Sequence, residues 1–584
     1  LRNLRKSTNR HVLLKKNISY LEKDLISNFP MFRLGRFRGG LIIEKRSERS
    51  RPFGMLAQRT IGYVREGAHP VGLEGYYDNE LGGTPGKQLM FQVGKEVWMP
   101  VEDLAQIHPK SGYDIQTTID IDFQDITHEA LLYAMQKHDA TWGTAVVMEV
   151  STGAIKAISN LGVSNGTFHE TYNHAIGSLI EPGSTFKLAS LMALLEEKKI
   201  KISDSLDIEG GVVSFYDRQM KDANPSGIKP QKVSIQYVFE NSSNVGIAKL
   251  VNTYFGKNPK QFLDRISKFR VNQKTEFSLD GEGIPYFKSP NQPNDQWSGV
   301  SLPWMSIGYE LKMTPLQILA FYNAVANNGN YMQPFIVSQI QRNGEVVDDF
   351  HPRILKKRIA SSETIETVLN LLNGVVERGT AKPLRNSNFT FSGKTGTSQI
   401  DYKRIQNQTL IGGHQASFVG FFPSDNPMYS CIVVVNNPRQ NGYYGKDVAA
   451  PVFVEIAKKA FASRPELQSL MPSSEKSIFA VNSWKGNPND FNEIAKELDI
   501  PVAKFTSVSE IVQIKSEENL LLFQEKNFPD NLVPDVRKMG LRDAVYVLEN
   551  RGMKAISRGY GKVYRQSIPP GTKIKGQTII LYLE

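Results

Sequence analysis

The chain reads Glu181-Pro182-Gly183-Ser184-Thr185-Phe186-Lys187, followed by apolar residues at Leu188, Leu191, Met192, Leu194 and Leu195. Pro182 and Gly183 make a turn, and the apolar spacing after them is that of a buried helix. Ser184 is therefore expected at the helix N-terminus. Lys187 falls one turn further along the same face, with its amine in reach of the Ser184 hydroxyl. A hydroxyl beside an amine at the positive end of a helix has the parts of an activated nucleophile. The spacing alone also fits an N-cap serine with a nearby lysine. Ser226 and Ser473 begin the same S-x-x-K pattern, but neither opens an apolar helix.

At 584 residues the chain is long enough for three or four domains. Its single cysteine, Cys431, excludes an internal disulfide and a cysteine-rich metal site. It lies in an apolar run and is expected in a core strand. No H-E-x-x-H or similar histidine pair occurs among the nine histidines, so neither a metal nor another cofactor is expected. Residues 1–60 carry 15 Lys/Arg against 4 Asp/Glu, and the remainder balances at 55 against 55. A basic arm of this kind can rest on an anionic surface. No aromatic-rich basic motif points to nucleic acid. No apolar run reaches the length of a membrane helix. The chain starts at Leu1 with no initiator Met, and a membrane anchor is expected upstream of it.

Residues 1–29 read as a charged, partly helical arm. Between 30 and 115 short strands alternate with glycine turns, including Gly72-Leu73-Glu74-Gly75-Tyr76-Tyr77-Asp78 and Leu81-Gly82-Gly83-Thr84-Pro85-Gly86. Asp114 to Asp120 alternates like a strand, and Gln124 to His138 reads as an amphipathic helix. Gly143 to Val150 and Ala154 to Ser159 read as a hairpin. The region after Ser184 is largely helical, with helices over Ile235 to Tyr254 and Pro315 to Asn328. Strand patterns return at Phe389 to Thr397, Ala416 to Phe422 and Tyr429 to Val435, before a helix over Ala449 to Ala462. Strands at both ends of a helical middle imply an α+β domain, one antiparallel sheet with an inserted helical lobe. Residues 463–475 form a linker and 476–527 stay unassigned. Residues 528–584 read as a small unit with a helix over Leu541 to Asn550 and three strands.

Two further motifs follow Ser184. Ser242-Ser243-Asn244 lies inside the helical lobe, and Lys394-Thr395-Gly396-Thr397 lies in a strand. Alone, these read as a helix cap and an edge strand. The order S-x-x-K, S-x-N, K-T-G is that of penicillin-binding proteins and serine β-lactamases. The chain therefore resembles the penicillin-binding proteins over most of residues 30–462. Gly72-Leu73-Glu74-Gly75, Ser306-Ile307-Gly308-Tyr309, Thr314-Pro315-Leu316-Gln317 and Ser417-Phe418-Val419-Gly420 also look like segments of that family. No stretch resembles a glycan-polymerising domain, which implies the monofunctional class B type. Residues 528–584 resemble a PASTA domain, which implies the septal, division-associated branch.

The resemblance implies a multidomain α+β chain. A basic arm (1–29) leads to an extended N-terminal pedestal of dimerisation-like type (30–115). The transpeptidase domain follows (116–462), a penicillin-binding/serine β-lactamase-like antiparallel sheet with a helical lobe. Then come a linker (463–475), a segment that could be a degenerate PASTA unit (476–527) and a small α/β PASTA-like domain (528–584). The implied activity is peptidoglycan D,D-transpeptidation through a serine acyl-enzyme. Ser184 would attack the penultimate carbonyl of a D-Ala-D-Ala stem peptide, and Lys187 would take its proton. Lowering a lysine from about 10.4 to near 7 takes roughly 4–5 kcal/mol, which burial and a second cation can supply. Lys394 is expected as that cation and, with the Thr395 and Thr397 hydroxyls, as the carboxylate anchor. Ser242 would relay the proton to the leaving amine and Asn244 would bind the peptide. Backbone N–H groups of Ser184 and Thr397, in the strand through Gly396, would form the oxyanion hole. A structural role is expected for Glu181, since nothing in the sequence pairs with it.

Implied partners are stem peptides, β-lactams as covalent inhibitors, a SEDS-family glycan polymerase and division proteins. Implied placement is the cytoplasmic membrane, with the catalytic domain periplasmic or extracellular. A β-lactamase or β-lactam sensor shares the three motifs, and a non-catalytic division scaffold binding muropeptides is the third reading. A P-loop ending at Lys394-Thr395 is excluded because position 388 is Asn388 where a glycine is required.

Overall fold

The structure is a computed structural model. It describes residues 12–16, 18–44, 49–65, 67, 69–94, 97–100, 106–226, 231–292, 295–386, 389–400, 413–464, 467, 485–497, 502, 511–517, 520–525 and 527–584. Ser473, Asn388, and most of the expected linker and of the segment 476–527 lie outside the described residues.

Leu1–Leu56 and Ala57–Glu584 form two separate compact units. In the first, a capping box starts the helix Tyr20–Ser27: Ser19 Oγ accepts the Glu22 N–H, and the Glu22 carboxylate accepts the Ser19 N–H. Beyond that helix the Phe29 carbonyl accepts the Arg33 N–H at 2.8 Å, and its ring stacks on Phe32 at 6.3 Å.

In the second unit the glycine-rich stretch at 72–81 is not only turns. It folds as two short helices, Gly72–Tyr76 and Asp78–Leu81. The reason is the i, i+4 pair Leu73 and Tyr77, which is buried against the main core.

The elements that frame the site run as follows. Helix α1 (Ile121–Lys137) precedes β1 (Trp142–Glu149), β2 (Ile155–Ser164) and β3 (Thr167–His169). Then come α2 (Lys187–Glu196), a hairpin β4 (Val212–Phe215) and β5 (Arg218–Lys221), α3 (Ile235–Glu240) and α4 (Asn244–Phe255). Next are α5 (Ser301–Ser306), α6 (Pro315–Ala326) and α7 (Ser362–Glu377). The chain closes with β6 (Ser392–Ile400), β7 (Gly413–Phe422), β8 (Tyr429–Asn436) and α8 (Ala450–Ser463).

One six-stranded sheet has the order β6-β7-β8-β1-β2-β3, and every neighbouring pair is antiparallel. The central strand Tyr429-Ser430-Cys431-Ile432-Val433-Val434-Val435 is buried along its length, because helices cover both faces. The pleat sorts its side chains. Tyr429 meets Phe123 of α1 at 4.8 Å between rings, while Phe418 and Phe422 of β7 meet Phe453 of α8. On the other face Ser430 Oγ donates to Asn323 Oδ1 of α6 at 2.7 Å. Each fully buried aromatic ring here contributes about 1.5–3 kcal/mol of transfer free energy. Strand β6 is the sheet edge, so one side of its backbone is left unpaired by the sheet.

Towards the C-terminus, Leu541–Glu549 packs on a three-stranded sheet of Lys554–Arg558, Thr578–Leu583 and Val563–Gln566, with the first pair parallel. Ile511, from the unassigned segment, is buried in this second core. The Lys485 amine reaches Asp535 at 3.3 Å.

Candidate active site

Ser184 sits in a 3-10 turn, Gly183–Phe186, that runs directly into α2. The turn is clamped from three sides. The Gly183 N–H donates to the Gly308 carbonyl at 3.1 Å. The Tyr322 hydroxyl of α6 donates to the Thr185 carbonyl at 2.8 Å, and Thr185 Oγ1 donates to the Pro182 carbonyl at 2.9 Å. Strand β6 closes the third side: a Cβ added at Gly396 would lie 2.9 Å from Thr185 Cγ2 and 3.2 Å from the Pro182 oxygen. Ser184 alone in this turn is partly exposed; its neighbours are buried. Among the described residues its hydroxyl makes no hydrogen bond.

The Lys187 side chain is fully buried. The one-turn spacing puts its amine in reach of the Ser184 hydroxyl, but its hydrogen bonds go elsewhere. The amine donates to the Ser242 carbonyl at 2.6 Å and to Asn244 Oδ1 at 2.7 Å, with Ser242 Oγ at 3.2 Å. These acceptors offset the cost of burying the amine. Burial pushes its pKa down to about 7, opposed by the negative charge of Asp222.

The expected continuous helix over Ile235 to Tyr254 is two helices. They break at Asn241-Ser242-Ser243, because Ser242 adopts a left-handed conformation, φ 58°. Ser243 then caps α4 by accepting the Gly246 N–H at 2.9 Å. The break turns the Ser242 carbonyl and the Asn244 amide towards Lys187. The Asn244 Nδ2 donates to the Lys221 carbonyl at 2.8 Å, which orients Oδ1 to the amine.

Lys394 is fully buried on β6, 5.9 Å over the Phe239 ring, and donates to the Thr395 carbonyl at 3.4 Å. Burial, then the nearby Lys187 charge, hold its pKa well below the ordinary lysine value. Burial lowers Lys187 as well, and the two buried amines disfavour each other's charged form. Thr395 Oγ1 lies 3.1 Å from Thr380 Oγ1, and Thr397 Oγ1 accepts the Gly445 N–H at 3.0 Å.

The fold thus brings S-x-x-K, S-x-N and K-T-G together: Lys187 meets Ser242 and Asn244, Lys394 lies over Phe239, and Gly396 lies against Pro182 and Thr185. It also recruits residues that the sequence reading passed over. Asp222 accepts from Ser243 Oγ at 2.8 Å and from the Val245 N–H at 2.9 Å. Glu240, buried beside the S-x-N turn, accepts from Arg378 Nη2 at 2.6 Å, and its carbonyl accepts the Thr380 N–H at 3.1 Å. No local pattern marks these positions. The Glu181 carboxylate does have a partner, the Glu310 N–H at 3.2 Å, which corrects the expectation that nothing pairs with it. Ser226 donates to Gln231 Oε1 at 2.9 Å, apart from this site's hydrogen bonds. Among the described residues no group of three or more His, Cys, Asp or Glu is placed to hold a metal, and no helix is long and apolar enough to cross a membrane.

This arrangement can do nucleophilic acyl chemistry. A neutral amine has two hydrogens and one lone pair. With its hydrogens given to the Ser242 carbonyl and Asn244 Oδ1, the lone pair is left for a hydroxyl proton.

Comparison with known proteins agrees with that chemistry. The family described as "Penicillin binding protein transpeptidase domain" matches residues 143–458, and "PASTA domain" matches residues 532–584. Stage V sporulation protein D of Bacillus subtilis is 28% identical over 560 residues, covering 93% of this chain and 77% of that protein. Peptidoglycan D,D-transpeptidase FtsI of Escherichia coli K12 is 25% identical, covering 76% and 72%. The apo crystal structure of penicillin binding protein 3 from Mycobacterium tuberculosis superposes with a TM-score of 0.58 at 28% identity, covering 71% of this chain and 90% of that one. Penicillin Binding Protein 2X from Streptococcus thermophilus, at 19% identity and TM-score 0.59, covers 91% and 82% and shows the shared fold.

Proposed function

The chain belongs to the penicillin-binding protein transpeptidase family, and from that premise we propose that it is a peptidoglycan D,D-transpeptidase of the class B type. It cross-links stem peptides during cell division through an acyl-enzyme on Ser184. The observation that carries the residue assignment is the buried Lys187 amine, with a pKa near 7, seated on the S-x-N turn.

The reaction runs in two halves. As Ser184 Oγ attacks the carbonyl of the penultimate D-Ala, Lys187 Nζ takes the hydroxyl proton. The tetrahedral intermediate collapses, the peptide C–N bond breaks, and the terminal D-Ala leaves as the amine after receiving a proton. Ser242 Oγ, 3.2 Å from Lys187 Nζ, is the relay for that proton. An acceptor amine from a second stem peptide then attacks the ester, forming the cross-link and returning the proton to Ser184. Lys394, Thr395 and Thr397 hold the substrate carboxylate, and the Ser184 and Thr397 N–H groups receive the oxyanion, with Gly396 giving β6 room beside the nucleophile turn. Asn244 orients the peptide as well as Lys187. β-Lactams acylate the same serine.

The pedestal (from 30 to 115), transpeptidase (116–462) and PASTA-like (528–584) assignments belong to this reading, with 476–527 a degenerate PASTA unit. Its β-α-β-β order, Lys485–Gly486, Pro488–Glu497, Val512–Glu517 and Leu520–Glu525, supports the last. The substrate lies outside the cytoplasmic membrane, so the catalytic domain works there, tethered by an N-terminal anchor beside a SEDS-family glycan polymerase. The basic arm suits an anionic lipid surface.

Intact-mass spectrometry after penicillin exposure, followed by peptide mapping, tests the proposal. A long-lived adduct on the peptide containing Ser184, absent in Ser184→Ala, is expected. Rapid release of hydrolysed drug would make the chain a β-lactamase. A folded protein that takes no label would make it a scaffold.

A further inference from the structure

The chemistry above does not use the hairpin β4–β5, yet the hairpin ends against the site. At its tip the largely exposed Tyr216 ring lies over Gly299, where an added Cβ would come 2.3 Å from Cε2. Beside the tip, Phe215 at the end of β4 is buried edge-on to Trp304 of α5, at 6.4 Å. Its exit, Lys221-Asp222, makes three hydrogen bonds to three consecutive residues of the S-x-N turn. The Lys221 carbonyl accepts from Asn244 Nδ2, Asp222 Oδ2 from Ser243 Oγ, and Asp222 Oδ1 from the Val245 N–H.

We propose that Asp222 is a positioning residue of this site, one that holds the Ser242–Asn244 turn in the geometry presented to Lys187. The proposal rests on the reading of Ser184 and Lys187 given above. The physical case is specific. A left-handed serine costs of order 1 kcal/mol or more and persists only where its surroundings over-determine it. Here the residues after it are pinned by a carboxylate, a strong acceptor for backbone N–H at a helix start. Without that carboxylate the Ser243 hydroxyl and the Val245 N–H lose their partner, and the Asn244 amide is freer to turn away.

A second consequence is electrostatic. The charged groups that face Lys187 among the described residues are Lys394, from β6, and Asp222, from the hairpin exit. Asp222 favours the ammonium form and opposes the effect of burial.

Two variants separate the effects. Asp222→Asn keeps an acceptor for the Val245 N–H but removes the charge. Asp222→Ala removes both. The second-order rate of acylation by a β-lactam is measured from pH 5.5 to 9, with thermal melting of each variant alongside. In Asp222→Asn the rise of rate with pH is expected to move to lower pH by roughly half a unit, with a plateau about threefold lower. In Asp222→Ala the plateau is expected to fall roughly 10- to 100-fold with most of the protein still folded, a size typical of misplaced catalytic groups. In Ser243→Ala, Asp222→Ala should cost less, since one of the two Asp222 contacts is already gone. An unshifted profile in Asp222→Asn, or losses that only track the folded fraction, would overturn the proposal. A wild-type protein that is not acylated at Ser184 would instead overturn the function on which it rests.

Discussion

Lys187 Nζ lies 2.7 Å from Asn244 Oδ1, although 57 positions separate the two residues. One residue starts the first helix after the nucleophile turn. The other starts a helix of a different part of the lobe. Their contact turns the amine to the S-x-N turn, while the Ser184 hydroxyl makes no hydrogen bond among the described residues.

Removing that contact should slow acylation. Asn244→Ala is expected to lose roughly 10- to 100-fold in the second-order rate with a β-lactam, since the amine loses one of its two close acceptors. Asn244→Asp adds a negative charge beside the amine and should move the rise of rate to higher pH. Stopped-flow acylation across pH checks both. Unchanged rates would remove Asn244 from the site.

The pH dependence of the wild type follows from burial of Lys187. Neutral amine is the reacting form, so acylation should rise with pH and reach half its plateau near pH 7, where the pKa lies. Lys187→Arg stays charged throughout and should lose at least about 100-fold. A wild-type rate independent of pH between 5.5 and 8.5 would refute this, as would rapid acylation of Lys187→Arg.

The pair Glu240 and Arg378 supports the S-x-N turn from behind. Glu240 is buried and Arg378 half-exposed. Arg378→Ala leaves the carboxylate buried with Gln236 Nε2 at 2.9 Å as its remaining side-chain partner, and should cost about 2–3 kcal/mol. Adding Glu240→Ala should recover part of that loss. Urea denaturation of the three proteins measures it; additive losses would contradict it.

Glu170 makes stability depend on pH. Its carboxyl is buried, with pKa pushed up to about 7 against 4.5, and it accepts the Arg59 and Asn160 N–H groups at 2.8 and 2.9 Å. A folded pKa above the unfolded value means the folded state holds the proton more tightly. Stability should therefore fall between pH 4.5 and 7 by about 3 kcal/mol from this group, and level off above. Glu170→Gln should flatten that part of the curve. A wild-type-like slope in Glu170→Gln would show that another group is responsible.

Gly308 cannot carry a side chain. Its φ is +89°, and a Cβ would stand 2.1 Å from the Gly183 oxygen. Gly308→Ala must displace the nucleophile turn or break its hydrogen bond. A loss of stability of about 2 kcal/mol or more is expected, with acylation of the remaining folded protein also slowed. Wild-type melting and labelling would show that the turn yields at little cost.

The sequence by itself determined the nucleophile turn, the three motifs, the α+β order and most strands of the sheet. These are local: period-two and period-3.6 apolar patterns and Pro-Gly or Lys-Thr-Gly segments carry their own backbone preferences. Strands Gly413–Phe422 and Tyr429–Asn436 are legible through their runs 416–422 and 429–435, which burial keeps largely apolar, with Ser417 and Ser430 as the interruptions. Only the tertiary structure decided where the Lys187 amine points and that Asp222, Glu240 and Thr380 pack beside the three motifs. The same is true of the helix break at Ser242, which apolar periodicity on either side conceals. A side chain with four rotatable bonds turns to whichever acceptors the fold supplies. Asp222, Thr380 and Asn244 come from parts of the chain that no short window joins, and their meeting is a consequence of packing.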